Sequence, residues 1–353
     1  MRRLLALVPV AASLVACTAS SDDAETDDQN QTSALEACAP SLSCAAPKLP
    51  SAPTRPWRHG IKSRVDVLNG SPNHRGRDLF VNPGAKQTVI AKFAYGIDDK
   101  DLEDEEVDIY VQRDCGSAWE KLGTALTTGE SPTPHATVEG VADYDGRVYF
   151  DIPAERALGP GRHRVRLVVA GDGSSTDLFI DVVSPKTPIF VTDVDGTLTS
   201  SEYIEFLKLL EGELPETHPG APEALRALAA KGYRPVYLTA RPESLVQRTR
   251  DFLELRGFPP GIVHTSTSAI GAGFGSAAAT FKRGELEMLA RKGLVPSYAF
   301  GNMPSDSDAY GAAHVEPPDH RVFYQISGAF QGRRIDSYEE LVPGFTALPA
   351  VCR

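Results

Sequence analysis

Apolar and polar residues alternate in short runs between Trp57 and Val183. Clusters of turn-forming residues, such as Asn82-Pro-Gly and Gly171-Asp-Gly, separate these runs. Because alternate residues of a strand point to opposite faces of a sheet, the pattern predicts an antiparallel β-sandwich domain over residues 57–184. The predicted strands are Ser63–Leu68, Gln87–Phe93, Val107–Val111, Arg147–Ile152, Arg164–Val169 and Asp177–Val183.

The periodicity changes at Lys186, where helical segments and apolar strand-like segments begin to alternate. This alternation predicts an α/β domain with a parallel sheet over residues 185–353, and such sheets keep their ligand sites at the carboxyl ends of the strands. The predicted strands are Ile189–Thr192, Val236–Thr239, Ile262–Thr265, Tyr298–Phe300 and Val322–Ile326. The predicted helices are Glu202–Leu210, Pro222–Lys231, Glu243–Arg256, Phe281–Lys292 and Ser305–Ala313.

The first 16 residues have the pattern of an export signal. Arg2 and Arg3 precede an apolar run, Leu4–Ala16, that is too short to span a membrane permanently. The four residues ending at Cys17 (LVAC) resemble the bacterial lipobox, in which the cysteine is acylated; the alternative is an ordinary signal peptide cut nearby. Acylation of Cys17 predicts an exported chain anchored to a phospholipid membrane of the bacterial cell envelope, at the outer membrane, in the periplasm or at the cell surface.

Residues 17–56 are polar, acidic and rich in proline. No Lys or Arg occurs between Cys17 and Lys48. A segment of this composition cannot bury a core, so it is predicted to be a disordered tether. The formal net charge of the whole chain is −11 and no basic run is present, so nucleic acid is not an expected partner.

Five cysteines are compatible with export. If Cys17 carries lipid, four remain for disulfides, and they allow three pairings. The pairing with the shortest loop joins Cys38 to Cys44 and leaves Cys115 for Cys352. A zinc site is the alternative, but no Cys-x-x-Cys spacing supports it.

An acidic stretch, Asp98–Asp108, lies between two of the predicted strands. Carboxylates at such density can bind calcium, and more often they form a solvated loop. Both interpretations remain open from the sequence.

Two carboxylates stand two residues apart after the apolar run at Ile189. Asp193 and Asp195 would leave the tip of a strand on the same face, and Gly196 allows the chain to turn behind them. Paired carboxylates at a strand end can bind a cation, attack phosphorus and transfer a proton. An Asp-Gly turn facing solvent is the alternative.

Four stretches together resemble the motifs of the haloacid dehalogenase superfamily of phosphotransferases, in the same order. The first is Asp193–Leu198 (DVDGTL), and the second is Pro235–Pro242 (PVYLTARP), with Thr239 at the strand end. Lys282 follows on a predicted helix, and Tyr298–Asp306 (YAFGNMPSD) is similar to the fourth, metal-binding motif. The resemblance covers residues 186–327 and implies a Rossmann-like parallel sheet.

Finer features resemble the lipin-type domain of this superfamily. They are Thr239–Glu243 (TARPE), Phe258–Gly261 (FPPG) and the Gly301-Asn302 pair, where most of the superfamily has Gly-Asp. This domain occurs in lipin phosphatidate phosphatases and in phosphatidylinositol transfer proteins of the retinal-degeneration-B type. The transfer-protein copies generally lack the nucleophile and are thought to sense phosphatidate, whereas this chain keeps both aspartates. Lipins also imply an immunoglobulin-like sandwich beside the catalytic domain.

The spacing of the motifs leaves no room for a cap domain. About forty residues separate Asp195 from Thr239, and two predicted helices occupy much of this interval. About forty residues also separate Thr239 from Lys282, and a predicted helix, a predicted strand and a Gly-Ala loop fill that interval. An uncapped site admits a phosphate that is still attached to a bilayer or a macromolecule. The sequence therefore favours a macromolecular or membrane phosphate ester over a free metabolite.

The resemblance implies a role for each motif residue. Asp193 is the expected nucleophile and Asp195 the expected general acid and base, with Thr239 and Lys282 neutralising the phosphate. Gly196, Thr197 and Arg241 are the expected substrate contacts, although Arg241 could equally form an outward salt bridge. Magnesium is the expected cofactor. Its expected ligands are Asp193, Asp195, Asn302 and Asp306.

These roles predict a magnesium-dependent phosphatase that hydrolyses phosphatidate or a related lipid phosphate through an aspartyl phosphate. One alternative is a non-catalytic module that binds phosphatidate or assists phosphatidylinositol transfer. Another is an uncapped phosphatase acting on a protein or a nucleic-acid end. The sequence does not specify the headgroup, the acyl chains or the oligomeric state.

Overall fold

The computed structural model describes residues 44–45, 47–49, 53–200, 215–268, 271–272 and 275–351. The predicted signal peptide, the lipidation site Cys17, most of the predicted tether and the predicted helix Glu202–Leu210 lie outside these ranges. Within them, no helix is long and apolar enough to cross a bilayer.

The strands are β1 (Arg75–Gly76), β2 (Leu79–Val81), β3 (Thr88–Lys92), β4 (Ala94–Tyr95), β5 (Lys100–Asp101), β6 (Glu106–Gln112), β7 (Glu120–Leu126), β8 (Arg147–Asp151), β9 (Gly161–Val169), β10 (Ser175–Val182), β11 (Ile189–Asp193), β12 (Arg234–Pro242), β13 (Ile262–Ser266), β14 (Tyr298–Gly301), β15 (Arg321–Tyr324) and β16 (Arg333–Ile335). The α-helices are α1 (Ile61–Leu68), α2 (Ala221–Ala230), α3 (Val246–Leu255), α4 (Ser276–Arg291), α5 (Pro304–Ala312) and α6 (Val342–Ala347).

The first domain is a β-sandwich, as the alternating pattern predicts. A three-stranded sheet in the order β1-β3-β8 faces a five-stranded sheet in the order β2-β10-β9-β6-β7. Val89 and Val148 from the first sheet share one buried core with Ile109, Leu167 and Leu178 from the second. The expectation of purely antiparallel pairing is wrong at one edge, because β2 runs parallel to β10.

The predicted strand Ser63–Leu68 is wrong, since these residues belong to helix α1. Ser63 and Asp66, three residues apart, are buried on one face of the helix, while Val65 points to solvent. The Ser63 hydroxyl donates to the buried Glu105 carboxylate, which also accepts the backbone N–H of His59. These tertiary hydrogen bonds favour the helix over the strand that the alternation suggested.

The second domain is an α/β unit built on six parallel strands in the order β13-β12-β11-β14-β15-β16. Side chains alternate between the two faces of this sheet: Phe190 and Tyr237 join one core, and Val191 and Val236 join the other. The five predicted strands are found, and β16 was not predicted. Helix α4 begins at Ser276, five residues before the predicted start at Phe281.

The proposed disulfide pairing of Cys38 with Cys44 and of Cys115 with Cys352 is wrong. Cys44 is bonded to Cys115, which lies in the turn that follows β6. Gln112 donates to the carbonyl of Ala45 and Trp119 donates to the carbonyl of Pro47, so this segment packs on the sandwich. Its described residues are therefore fixed to the domain, where the sequence suggested a free tether.

Candidate active site

The two motif aspartates lie at the end of β11, in the middle of the parallel sheet. Asp193 is the last residue of the strand and is buried, while Gly196 adopts a φ of 72°, which allows the chain to turn sharply. The Thr197 hydroxyl lies 3.1 Å from Asp193 Oδ2 and 3.0 Å from Asn302 Oδ1. One hydroxyl thus brings an oxygen of motif I close to an oxygen of motif IV.

Lys282 joins the two buried carboxylates of the site. It projects from the second turn of α4, and its Nζ lies 2.7 Å from Asp193 Oδ1 and 2.6 Å from Asp306 Oδ1. The other oxygen of Asp306 accepts the backbone N–H groups of Asn302 and Met303, which shapes the loop before α5. A Cβ atom at Gly301 would lie 2.5 Å from the Asp306 Cβ, so this loop requires a glycine there.

The carboxylates of Asp193 and Asp306 and the single ammonium group of Lys282 together leave excess negative charge in the buried site. Burial raises the pKa of Asp193 well above its usual range, and Asp306 and Asp195 add to the increase while Lys282 opposes it. Burial alone would lower the pKa of Lys282, but the two carboxylates outweigh it and keep the lysine charged. A cation bound here would relieve the excess negative charge.

The Asp195 carboxylate is hydrogen-bonded to side chains of motif II. Thr239 Oγ1 donates to Asp195 Oδ2 at 2.8 Å, and Arg241 Nε and Nη2 donate to Asp195 Oδ1 at 3.0 and 2.7 Å. The register of β12 against β13 shifts between Thr239 and Pro242, and such a bulge re-aims a side chain. Arg241, for which the sequence left two roles open, is buried and forms its salt bridge inside the site.

The donors at this strand end are chemically suited to magnesium. Within the described ranges, no group of three or more His, Cys, Asp and Glu side chains is placed to hold a metal ion. Asp193 Oδ2 and Asn302 Oδ1 nevertheless converge on Thr197, and amide, carboxylate and main-chain oxygens with water are the ligands that magnesium prefers. Both Asp306 oxygens are already engaged, so its direct ligation stays a prediction.

Glu243 connects the site to the sandwich, and the sequence reasoning gave it no role. It follows motif II directly and accepts from Arg147 Nη2 at 2.6 Å and from Arg75 Nη2 at 3.1 Å. Arg75 is also held by both oxygens of Asp99. The guanidinium groups of Arg75 and Arg147 are both buried. The end of β12, which carries Arg241, is therefore fixed by side chains of the other domain.

We expect Glu243→Gln to destabilise the fold by about 2 kcal/mol, because charge-assisted hydrogen bonds are lost while the side chain keeps its size. Urea unfolding would measure the change, with the exposed Glu254→Gln as the matched control. In a double-mutant cycle with Arg147→Met, the two losses should not add. Additive losses would show that Glu243 and Arg147 do not stabilise the fold through their mutual contact.

A second buried bridge joins the two domains near α4. Arg77 Nη2 donates to Glu285 Oε1 at 2.6 Å, and the His264 ring lies 2.6 Å from Glu285 Oε2. Burial would raise the pKa of Glu285, but Arg77 and His264 outweigh it and hold the pKa at about 2. The folded protein therefore favours the charged carboxylate.

This bridge predicts a loss of stability in acid. A depressed pKa contributes stability that is complete above the unfolded value and is lost as the pH falls towards 2, here up to about 3 kcal/mol. The unfolding free energies of the native chain and of Glu285→Gln should differ most above pH 5 and converge below it. A difference that is constant with pH would contradict the assignment.

Several carboxylates of the acidic stretch Asp98–Asp108 form salt bridges with Lys and Arg side chains. Asp101 is paired with Lys92, Glu103 with Lys62, and Asp108 with Arg55 and Lys121. Its carboxylates do not converge on a common point in the described structure, since none of them belongs to a potential metal cluster. The contacts favour an ion-paired surface over the calcium site.

Comparison with known proteins divides the chain in the same two parts. Residues 72–182 match the family model described as "PITM 1-3, beta-sandwich domain". Residues 190–325 match the model described as "PITM 1-3, LNS2 domain", the lipin-type domain that the motifs resemble. Solved structures such as that of titin kinase and its flanking domains align with a TM-score of only 0.18 over 37% of this chain and 25% of theirs, with 8% identity.

Curated relatives are similar in sequence to more than half of this chain. Protein retinal degeneration B of Drosophila melanogaster is 32% identical over 215 residues, which is 60% of this chain and 15% of the relative. Membrane-associated phosphatidylinositol transfer protein 1 of Rattus norvegicus is 32% identical over 224 residues, 62% of this chain and 16% of the relative. The chain thus spans about one sixth of the length of these relatives. It carries a β-sandwich domain followed by an LNS2 domain, and its sequence is similar to part of each of these relatives.

Proposed function

We propose that this protein is a magnesium-dependent phosphatase for a lipid phosphate, with phosphatidate as the preferred candidate. The observation that carries the proposal is the arrangement of Asp193, Lys282 and Asn302 at the end of the central strand. A site that only binds an anion has no use for a buried carboxylate facing the ligand, whereas a nucleophile must be there.

In the proposed reaction, an Asp193 oxygen attacks phosphorus in line and the ester P–O bond breaks. Asp195 gives its proton to the leaving alkoxide, which departs as diacylglycerol. Asp195 then takes a proton from water as the water attacks the aspartyl phosphate, so that phosphate is released and Asp193 is restored. In this proposal, Lys282 and Thr239 stabilise the phosphate oxygens and their charge.

Asp193, Asn302 and the main-chain carbonyl of Asp195 would hold the magnesium ion, and Asp306 would support them from the loop. When bound, the ion supplies positive charge that neutralises the phosphate. Arg241 holds Asp195 by two hydrogen bonds, so its proposed task is to position this carboxylate. A direct contact between Arg241 and phosphate requires that this pair open.

The proposed substrate follows from access and location. The absence of room for a cap between the motifs suits a phosphate in a bilayer, and acylated Cys17 would keep the protein on the membrane of the cell envelope. The relative from Rattus norvegicus is named as a membrane-associated phosphatidylinositol transfer protein, which supports a lipid partner. The same names favour a second candidate function, a module that binds phosphatidate without turnover.

Phosphate release from phosphatidate in mixed micelles, with magnesium and then with EDTA, tests the proposal. We expect turnover that needs magnesium and that is much slower with free glycerol 3-phosphate. Saturable binding of phosphatidate vesicles without phosphate release would replace the phosphatase by the binding module.

A further inference from the structure

A small cavity and a much larger one lie between the described residues of the sandwich and those of the α/β domain, and neither is lined by Asp193, Asp195 or Lys282. The smaller has a volume of about 20 Å³ and is lined by Arg75, Arg77 and Arg147, which leaves room for about one water molecule. The larger has a volume of about 500 Å³ and is called the interdomain cleft below. That volume is within the range of sites for small organic ligands.

The interdomain cleft has both apolar and cationic walls. Phe179 on β10 and Leu253 on α3 face it, together with Phe258 and Pro259 from the loop before β13. Arg162 and Arg164 of β9 also line it, and their guanidinium groups lie 4.3 and 5.1 Å from the centre of the Phe179 ring. A ligand in the cleft would meet rings and cations together.

Two carboxylates near the cleft are each shared by two arginines. Asp181 pairs with Arg162 at 3.0 Å and with Arg234 at 3.3 Å. Each shared carboxylate leaves one positive charge uncompensated. Among the described residues that line the cleft, Glu254 is the only further acid. A chain with a net charge of −11 thus concentrates surplus positive charge at this place.

The second shared carboxylate is Asp177, and it does not form a hydrogen bond with Arg164. Asp177 makes two hydrogen bonds of 2.7 Å to Arg166, while its nearest oxygen is 3.7 Å from Arg164 Nη1. In the described part of the chain the Arg164 side chain has no hydrogen-bond acceptor, and its Nε is buried without a partner. Burial lowers the pKa of this guanidinium, which is the sign of a cation that lacks solvation.

We propose that the interdomain cleft binds an organic oxyanion, a phosphate, sulfonate or carboxylate carried on a flat apolar body. Arg164 is the main contact for the anionic group, and Phe179, Leu253 and Phe258 enclose the apolar part. The bound oxyanion supplies the acceptors that Asp177 gives to Arg166. This site is separate from the phosphatase centre and does not depend on turnover there.

Titration calorimetry with naphthalene-2-sulfonate, which a phosphatase cannot hydrolyse, tests the proposal on the full chain. We expect saturable binding of one equivalent, unchanged by Asp193→Asn. Arg164→Gln should weaken it at least tenfold, whereas Arg64→Gln, at an exposed arginine, should leave it unchanged. Binding that is absent, or equal in native and Arg164→Gln chains, would overturn the proposal.

A second variant, which is expected to bind the sulfonate more tightly, distinguishes a loss of charge from damage to the fold. Glu254→Gln removes the negative charge that opposes the ligand, so it should strengthen binding severalfold, a result that damage to the fold cannot produce. Competition by dihexanoyl phosphatidate in the Asp193→Asn chain would identify a lipid phosphate as the occupant. Binding of the sulfonate without such competition would identify a soluble anion. Weaker binding by Glu254→Gln would contradict the charge argument.

Discussion

Asp193→Asn is expected to lower kcat for phosphate release from phosphatidate by at least about 10³-fold, because an amide cannot form the acyl phosphate on which the reaction depends. Asparagine has nearly the same shape and still reaches the Thr197 hydroxyl, so the fold and the binding of phosphatidate should be kept. Phosphate release and vesicle binding, measured on the same preparations, separate the two effects.

The exposed Asp308→Asn is the matched control for this variant, since it lies on α5 beside the site without a contact to it. Its kcat should stay within about twofold of the native value, as for surface substitutions in general. An Asp193→Asn chain that keeps more than a tenth of the native kcat would show that the nucleophile lies elsewhere. A native chain without turnover, together with equal binding by both forms, would assign the site to lipid sensing.

The sequence was most informative where a residue's position follows from its own strand. Asp193, Thr239 and Asn302 each come at the end of an apolar run, and parallel strands bring their carboxyl ends to one edge. The meeting of these side chains was therefore predictable from three separate stretches. Their adjacency in space also depends on the order of the strands, which the sequence analysis did not predict.

The contacts that the sequence could not give are those between the domains. Glu243 lies 96 residues from Arg147 and 168 residues from Arg75, and no local pattern marks them as partners. The pairing of Cys44 with Cys115 is of the same kind, since four cysteines permit three pairings and spacing does not choose among them. Non-local contacts of this sort depend on how the two domains pack.

The strand prediction for the residues of helix α1 is wrong because contacts with a distant part of the chain stabilise the helix. The stretch Ser63–Leu68 alternates as a strand does, and it also fits one helical face through Ser63 and Asp66. Short segments are ambiguous between the two periods. The buried Glu105, 42 residues away in the chain, stabilises the helix through the hydrogen bond that it accepts from Ser63.

Lys282→Met is expected to destabilise the fold by about 3–5 kcal/mol, because it leaves Asp193 and Asp306 buried side by side without their shared cation. Methionine fills a similar volume, so the loss reports charge more than packing. The matched control is Lys86→Met, whose lysine is 71% exposed in its pair with Asp151 and should contribute less than about 1 kcal/mol. Equal losses in the two variants would contradict the assignment.

Two further measurements connect this loss to the proposed magnesium site. Adding Asp306→Asn to Lys282→Met removes one of the two facing carboxylates, so part of the lost stability should return. Magnesium should raise the unfolding temperature of Lys282→Met more than that of the native chain, since the ion would then be the only cation beside Asp193 and Asp306. A double variant that is less stable than Lys282→Met, with no response to magnesium, would mean that Lys282 acts through packing. In that case its bridge between the two carboxylates would no longer support a cation-dependent phosphatase site.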